Sequence, residues 1–576
     1  MDTSDELKRT VRSSVMGLGM EVEDEDISIE HPSDTAMGDY STSIAFKYAK
    51  EFRENPNDSA EKIAEQIIKN STPELGKVNA VNGFINFTLP RNFFVLKIQE
   101  IITNKNFGKN ETLSGEKIMI EYTDPNPFKP FHIGHLMTNA IGESLARIIE
   151  FSGAEVRRAN YQGDVGLHVA KAIWGLMNNA HLLADDNVPL KFKAANIGEA
   201  YALGASKYEE SKEAKEQIDE INKKVYARSD ELVNKIYDWG FKTTMEAFED
   251  LYRLLGTQFD FYFLESQMAQ MGKEIVQENT GKIFEKSDGA VVFKAQKHDP
   301  KLHTRVFITS QGLPMYETKE LGLTIEKFKT YPKMTKSIVI TAQEQADYMK
   351  VVAKAISLMS PEYGEKMKHI THGMMRFGKS SSGKMSSRKG NVITGESLLN
   401  DVRLSIIEKM ADREISESDT EKISEAVAVA ALKYSILKQS TTGDIIFDLE
   451  KSISFEGDSG PYLQYSYARA NSILEKGKKE DLASKFENVP AEATEVEKLL
   501  YRFPEVVLRA AEEYAPHYIA NFLIELARSF NSFYAHTQIV NKEDKESPYK
   551  LALTEAFSVV MKNGLHLLGI QAPEKM

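Results

Sequence analysis

Apolar positions along the chain recur in more than one rhythm. Near the N-terminus, Lys77–Val81 and residues 84–89 read as two strands around Asn82-Gly83, a dipeptide suited to a tight hairpin. Helical spacing flanks them at 43–52, 59–70 and 93–105. From Lys117 the pattern changes. Ile118-Met119-Ile120-Glu121-Tyr122 is a short apolar run, ended by the Pro-rich loop Asp124-Pro125-Asn126-Pro127-Phe128-Lys129-Pro130. From His132, Leu136, Ala140, Ile141, Leu145, Ile148 and Ile149 recur at helical spacing until Gly153. A second strand at 155–160 precedes Gly163-Asp164-Val165-Gly166. Strand, loop, helix and strand within about 45 residues predict a βαβ unit.

Further along, residues 190–285 are mostly charged helix, as in 207–235, and read as an insertion. Strand-like runs at 290–293, 305–308 and 337–340 predict that the α/β sheet resumes near 290 and ends near 395. Helices dominate from Asp401, including 418–439 and several more between Gly460 and Leu568, with 476–489 as the expected exposed linker. The predicted boundaries are 1–112, 113–400, 401–455 and 456–576.

Composition narrows the class. The 576 residues carry 72 Lys+Arg and 85 Asp+Glu, a formal charge of −13, and no cysteine. Without Cys there is no disulfide scaffold, thiolate metal site, iron–sulfur cluster or Cys nucleophile. No apolar run approaches the length of a transmembrane helix, and Met1-Asp2-Thr3-Ser4-Asp5-Glu6 lacks the basic start of a secretory signal. The expectation is a cytosolic multidomain protein. Its acidic balance argues against a general nucleic-acid coat but leaves room for a local basic path.

Two segments carry chemistry. His132-Ile133-Gly134-His135 stands where the Pro-rich loop meets a helix. A helix N-terminus offers free N–H groups and a positive dipole end, which suit phosphate. Two imidazoles three residues apart can hydrogen-bond a polyphosphate there, and Gly134 leaves room for a flat base. The bland alternatives are a surface His pair or two ligands of a metal, although no third zinc ligand is evident nearby. Far downstream, Gly383-Lys384-Met385-Ser386-Ser387-Arg388-Lys389-Gly390 places three cations among glycines and serines. Such a loop can close on a triphosphate and stabilise charge on leaving pyrophosphate; a solvated basic loop is the plainer alternative. Gly373-Met374-Met375-Arg376-Phe377-Gly378-Lys379-Ser380 fits the P-loop pattern, but is rejected. Its bulky residues would line a loop that must wrap phosphate tightly, and no apolar-periodic helix follows.

The two segments resemble the signatures of class I aminoacyl-tRNA synthetases, called HIGH and KMSKS. His132 to His135 matches the first in all four letters. Lys384-Met385-Ser386-Ser387-Arg388 matches the second at Lys, Met and Ser, with Ser387 in place of the second lysine. The surroundings resemble the arginyl-tRNA synthetase family, which departs from the second signature and places a lysine just before the first. Here that lysine is Lys129. Further resemblance lies in Asn160-Tyr161-Gln162-Gly163-Asp164-Val165-Gly166, Asp444-Ile445-Ile446-Phe447-Asp448, Gly460-Pro461-Tyr462-Leu463-Gln464-Tyr465, and Leu567-Leu568-Gly569 with the final Pro573-Glu574-Lys575-Met576. Gly38-Asp39-Tyr40 before a helix resembles the family's N-terminal module. Essentially the whole chain is covered.

The resemblance implies a multidomain α/β plus α fold. Its parts are an α+β domain at 1–112 that binds the tRNA elbow, a class I Rossmann-like catalytic domain at 113–400, a helical connection at 401–455, and an all-α anticodon-binding domain at 456–576. It implies ATP-dependent activation of L-arginine, with Mg2+ bound with ATP, and transfer to the 3′ end of tRNA(Arg), releasing AMP and pyrophosphate. The implied catalytic residues are Lys129, His132, His135 and Lys384. His132, Gly134, His135, Lys384, Met385, Ser386 and Arg388 are implied to hold ATP. Glu121, Asn126, Tyr316, Glu320 and Gln345 are implied to hold arginine, whose planar guanidinium seeks carboxylates. Glu320 stands where the family usually has Asp, and Tyr348 where related chains often have His. Tyr534 and Met576 are implied tRNA contacts; no protein metal ligands and no membrane contact are implied, and the family is usually monomeric. Aromatics of the tail, Tyr462, Tyr465, Tyr467, Phe533 and Tyr534, interleave with Arg469 and Arg528, which suits either splayed bases or a helix-bundle core. Two other readings remain: a nucleotidyltransferase sharing His-x-Gly-His, and a paralogue that binds RNA without catalysis.

Overall fold

Five parallel strands form the sheet that orders the larger part of the chain. Their spatial order is Met367–His372, Lys336–Ala342, Lys117–Glu121, Glu155–Gln162, Phe261–Leu264. The first strand in sequence therefore lies in the middle. The chain builds outward on one side, returns, and builds outward on the other. This reversal is a topological switch point, and open α/β sheets bind ligands in the crevice at the carboxyl ends of the strands there. The coordinates, a computed structural model, describe residues 3–32, 34–70, 75–183, 187–378, 393–410 and 416–576.

The βαβ unit expected from Lys117 onward is present: Lys117–Glu121, helix Ile133–Phe151, strand Glu155–Gln162. That helix is buried nearly all round, and its polar residues Asn139, Glu143 and Ser144 are buried along with its apolar ones. The expected sheet needs correction elsewhere. Residues 290–293 and 305–308 do not rejoin it. They lie in Ala290–Lys294 and Thr304–Ile308, which pair antiparallel with each other and with Glu285–Ser287 in a separate sheet. Conversely, Phe261–Leu264 falls inside the expected helical insertion yet forms an edge of the parallel sheet. The charged stretch is three helices, Leu190–Glu210, Lys212–Ala227 and Glu231–Leu254. Ser211 and Asp230 break it by accepting N–H groups of the following turn: Ala214 at 3.2 Å, and Leu232 and Val233 at 3.1 Å. Met375–Phe377, within the rejected P-loop match, is a strand paired with Ile445–Phe447.

Below the switch point, Glu143 holds three elements together. Its carboxylate accepts from Tyr122 Oη at 2.5 Å, Arg147 Nε at 2.7 Å and Arg158 Nε at 3.2 Å. Arg147 also reaches the carbonyls of Gly256, at 2.6 Å, and His566, at 3.1 Å. Lys433 is buried and donates to the carbonyls of Leu255, at 2.6 Å, and Gly569, at 2.9 Å. Cations thus meet carbonyls at a helix end, where the macrodipole favours them.

The chain divides into two units, Met1–Phe107 with Ala470–Phe503 and Ser529–Val560, and Gly108–Arg469 with Pro504–Arg528 and Met561–Met576. In the first, Lys77–Val81 and Phe84–Thr88 form the expected hairpin, extended by Tyr40–Thr42. Asn82 and Gly83 both take positive φ, 51° and 80°, as a type I′ turn requires. A helix at Thr3–Gly17, absent from the sequence reading, buries Leu7, Val11 and Val15 against Ile63, Ile67, Ile85 and Phe87. Arg91 ties the later segments in, at 2.8 Å from the Pro490 carbonyl and 2.9 Å from Glu497.

Burial alone would raise the Glu143 carboxyl, but Arg147 and Arg158 hold it below the ordinary value of 4.5. Its contribution to stability is complete above that value and fades as pH falls through the lower folded-state value. Glu143→Gln is expected to lower the thermal midpoint by several degrees at pH 7, since it strands two partly buried arginines at a cost of about 3 kcal/mol. Melting curves of both proteins from pH 7 to pH 3 check this: the gap should close below pH 4.5, and a constant gap contradicts it.

Candidate active site

At the amino end of helix Ile133–Phe151, His132 is the N-cap in extended backbone. His135 N–H donates to His132 Nδ1 at 3.3 Å, and His132 N–H donates to His135 Nδ1 at 3.1 Å. This reciprocal cap satisfies donors that a helix start otherwise leaves open. The rings stack, with centroids 3.3 Å apart and planes 22° from parallel. A Cβ on Gly134 would lie 2.9 Å from His132 Cε1, so glycine lets the ring fold over. Burial, then Lys129, lowers His132; burial, then His132 and Lys129, pushes His135 well below the usual histidine range. Both rings are neutral at pH 7. With Nδ1 accepting, each proton sits on Nε2. The pair thus offers two Nε2–H donors beside a positive helix end. Lys129 lies with its ammonium 5.5 Å from the Tyr201 ring centroid. Its own pKa is lowered by burial, then by Lys171.

The loop between the central strand and this helix is strained. Thr123, Asp124 and Phe128 hold φ of 80°, 46° and 67°, a region costing non-glycine residues about 1–3 kcal/mol each. Neighbours hold it there. Asn139 Nδ2 donates to Thr123 Oγ1 at 3.1 Å, and Tyr161 N–H donates to Asp124 Oδ1 at 2.7 Å. Phe128 is fully buried, with Gly240 so near that a Cβ there would meet its ring at 2.3 Å. Asn126 presses on Gly163, where a Cβ would fall 2.0 Å from Asn126 Oδ1. This gives Gly163 a role that the sequence alone does not reveal.

On the other side of the loop, carboxylates gather. Glu121 pairs with Lys327 at 2.7 Å, both nearly inaccessible, and Glu265 pairs with Lys319. Glu317 has Arg305 at 3.6 Å. Glu320 has no hydrogen bond or ion pair among the described residues. Burial, then Glu121, pushes its carboxyl up to about 8, in spite of Lys327. Burial, then Glu121, also raises Asp124 well above the usual carboxylate range. Glu320 and Lys327 share a face of helix Tyr316–Thr330, seven residues apart. Tyr316 opens that helix one turn before Glu320, and is 66% exposed, with the Lys319 ammonium 5.1 Å from its ring centroid. Gln345 is exposed in the turn Gln343–Gln345 and accepts from Tyr348 Oη at 3.2 Å. Tyr348 is raised by burial, then by Glu320 and Glu121, which brings it to the same cluster.

The structure therefore brings Lys129, His132, Gly134 and His135 together at one end of the loop, and Glu121 and Glu320 at the other, with Asn126 between. Lys384, Met385, Ser386 and Arg388 lie outside the described residues. Tyr534 is exposed on helix His517–His536, in the first unit; Met576 is half-buried at the end of the second. Tyr467 is buried, as a bundle residue would be. Sequence reasoning missed Asp124, Glu265 and Lys327. Lys327 carried a signal, a lysine on the apolar face of a helix. Glu265 carried none, since an acid at a helix start is ordinary.

A parallel sheet with its switch point beside a His-x-Gly-His helix start fits a class I aminoacyl-tRNA synthetase and equally a nucleotidyltransferase with the same signature; the similarity of the whole chain decides between them. The family model for tRNA synthetases class I (R), catalytic domain, matches residues 97–449. That for the arginyl tRNA synthetase N terminal domain matches 5–89, and that for the DALR anticodon binding domain 463–576. The chain is 31% identical to the arginine–tRNA ligase of Halothermothrix orenii over 567 residues, covering 97% of each. It is 32% identical to that of Lactococcus lactis subsp. lactis over 584 residues, covering all of both. The solved Thermus thermophilus arginyl-tRNA synthetase shares the fold over the full length of both chains, with a TM-score of 0.80 at 24% identity. The chain belongs to the arginyl-tRNA synthetase family.

The stacked pair has a direct spectroscopic signature. Histidine-selective 15N spectra are expected to report Nε2–H tautomers for His132 and His135 at pH 7, with both midpoints below 6.5. A charged ring at pH 7, or an Nδ1–H tautomer, contradicts the geometry.

Proposed function

We propose that this chain ligates L-arginine to tRNA(Arg) at the expense of ATP. The observation that carries the reading is the unpaired Glu320, held among carboxylates at the opposite end of the loop from the imidazole pair. A cation is needed at one end of the site and an anion is welcomed at the other. Arginine and ATP meet both demands.

In the first step an arginine carboxylate oxygen attacks the α-phosphorus of ATP. The P–O bond to pyrophosphate breaks, and arginyl-adenylate forms. In the second, a hydroxyl of the terminal ribose of tRNA attacks the carbonyl carbon, loses its proton and expels AMP. No side-chain nucleophile takes part; the protein positions groups and stabilises charge. His132 and His135 donate Nε2–H to phosphate oxygens, and Lys129 adds positive charge. Lys384, Met385, Ser386 and Arg388 keep their implied role in holding ATP. Glu121, Asn126, Tyr316, Glu320 and Gln345 keep theirs with arginine, joined by Asp124 and Glu265. The reading has Mg2+ arrive bound to the nucleotide's phosphates.

The remaining assignments follow the same reading. Residues 1–112 approach the tRNA elbow and 456–576 the anticodon, with Tyr534 and Met576 as contacts. The chain works as a cytoplasmic monomer; no described helix is long and apolar enough to cross a membrane.

Charging of total tRNA with each of the twenty amino acids tests the reading. Arginine alone is expected to be esterified. Charging with lysine or glutamine instead overturns the specificity, and no charging by a folded preparation favours the RNA-binding paralogue.

A further inference from the structure

Tyr161 stands out among the groups that this mechanism does not use. It lies on strand Glu155–Gln162, opposite Phe263 of the edge strand. Its ring packs against a cluster that includes Met119, Met268 and Leu323. Met268 and Leu323 come from helices Glu265–Glu278 and Tyr316–Thr330, which also carry Glu265 and Glu320. The ring is thus wedged under the carboxylate cluster. Its hydroxyl oxygen is buried and has no hydrogen-bond partner among the described residues. The charges acting on that hydroxyl are, in order, Glu320, Glu265, Glu121 and Asp164. Tyr161 is also fixed from behind, since its backbone N–H holds Asp124 in its left-handed conformation at 2.7 Å.

A buried hydroxyl without a partner is costly, and natural structures rarely keep one without a reason. Here a reason follows from the inventory of donors and acceptors. A guanidinium brings five N–H donors in a plane and no acceptor. Carboxylates can take some of these, but each added carboxylate also adds repulsion among those already present. A phenol adds an acceptor without adding charge. Burial, then Glu320, keeps Tyr161 far above the usual phenol range, so it never becomes one more anion. Its own proton can go to a neighbouring carboxylate, which polarises the oxygen further.

We infer that Tyr161 is a specificity-determining residue for the amino acid substrate, its phenol oxygen accepting one guanidinium N–H while its hydroxyl donates to a carboxylate of the cluster that includes Glu320. The inference rests on the arginine reading of the site. The phenol gives a neutral third side to a pocket otherwise walled by acids. A compact ammonium, with three donors and no plane, cannot reach the phenol and the carboxylates together. The pocket therefore discriminates by the number and plane of donors as well as by charge.

Tyr161→Phe removes the hydroxyl and leaves the packed ring. Calorimetric titration of the full chain with arginine and with agmatine, which keeps the guanidinium and lacks the carboxylate, reads the effect. The expected result is a tenfold or larger loss of affinity for both ligands, with the affinity for ATP within twofold of the parent. The thermal midpoint should stay equal or rise, because the variant loses an unsatisfied buried hydroxyl. A merely structural tyrosine would lower the midpoint and weaken ATP as well. Arginine and agmatine binding within twofold of the parent overturns the inference and leaves the arginine reading intact. Failure of the parent chain itself to bind arginine overturns the reading first. If Tyr161→Phe does not fold, the cycle of Tyr161→His with Glu320→Gln decides: coupled losses support the inference, additive losses contradict it.

Discussion

Four carboxylates, Glu121, Asp124, Glu265 and Glu320, meet at the carboxyl edge of the parallel sheet, and two lysines, Lys327 and Lys319, pair with two of them. That imbalance is the constraint on which the rest of the site depends. Charges removed from water are tolerable only when paired, and an unpaired carboxyl answers by holding its proton. Glu320 does so, and burial, then Glu121, pushes Asp124 in the same direction. The site is poised for a cation, and the strained loop from Thr123 to Phe128 joins it to a helix start poised for an anion. The strain at Thr123, Asp124 and Phe128 is sustained by contacts on every side, from Asn139, Tyr161 and the packing of Phe128 against Gly240. A loop held this firmly keeps the two ends of the site at a fixed separation, which a reaction run by positioning requires.

Electrostatics also explains the two neutral histidines. Charged imidazoles could not stack at 3.3 Å beside Lys129. Neutral ones can, and they supply directed donors while the helix end and Lys129 supply the positive field. The acidic balance of the whole chain takes on a second meaning. With a formal charge of −13, an RNA partner must be drawn by local patches, and its binding should weaken steeply with salt.

Much of this was legible in the sequence where local patterns suffice. Asn82-Gly83 set a hairpin, the apolar run from Lys117 set a strand, and His132 to His135 set a capped helix start. Glu121 and Glu320 were legible as candidate arginine-binding residues through resemblance alone. What escaped depended on long-range pairing. Residues 290–293 and 305–308 carry the same strand signal as 337–340, and nothing local says which sheet each one joins. Phe261–Leu264 is four residues long and follows a long charged helix, so it reads as part of it. Glu265 enters the site because that short strand sits at the sheet's edge and delivers the next residue to its carboxyl end. Asp124 looked like a loop acid in a Pro-rich turn; the left-handed backbone conformation that Tyr161 holds is what turns it, half-buried, toward Glu121 and Glu320.

The central claim is that a guanidinium neutralises this surplus of carboxylates. Burial, then Glu121, pushes the Glu320 carboxyl up to about 8; a bound guanidinium favours its ionised form, so binding below that pH must release a proton. Calorimetric titration with arginine at pH 7, in buffers of different ionisation enthalpy, measures that proton directly. The account predicts release approaching one proton per arginine, with affinity rising from pH 6 to 8 and levelling above. Binding of arginine with no proton released, and with affinity flat across that range, would contradict it.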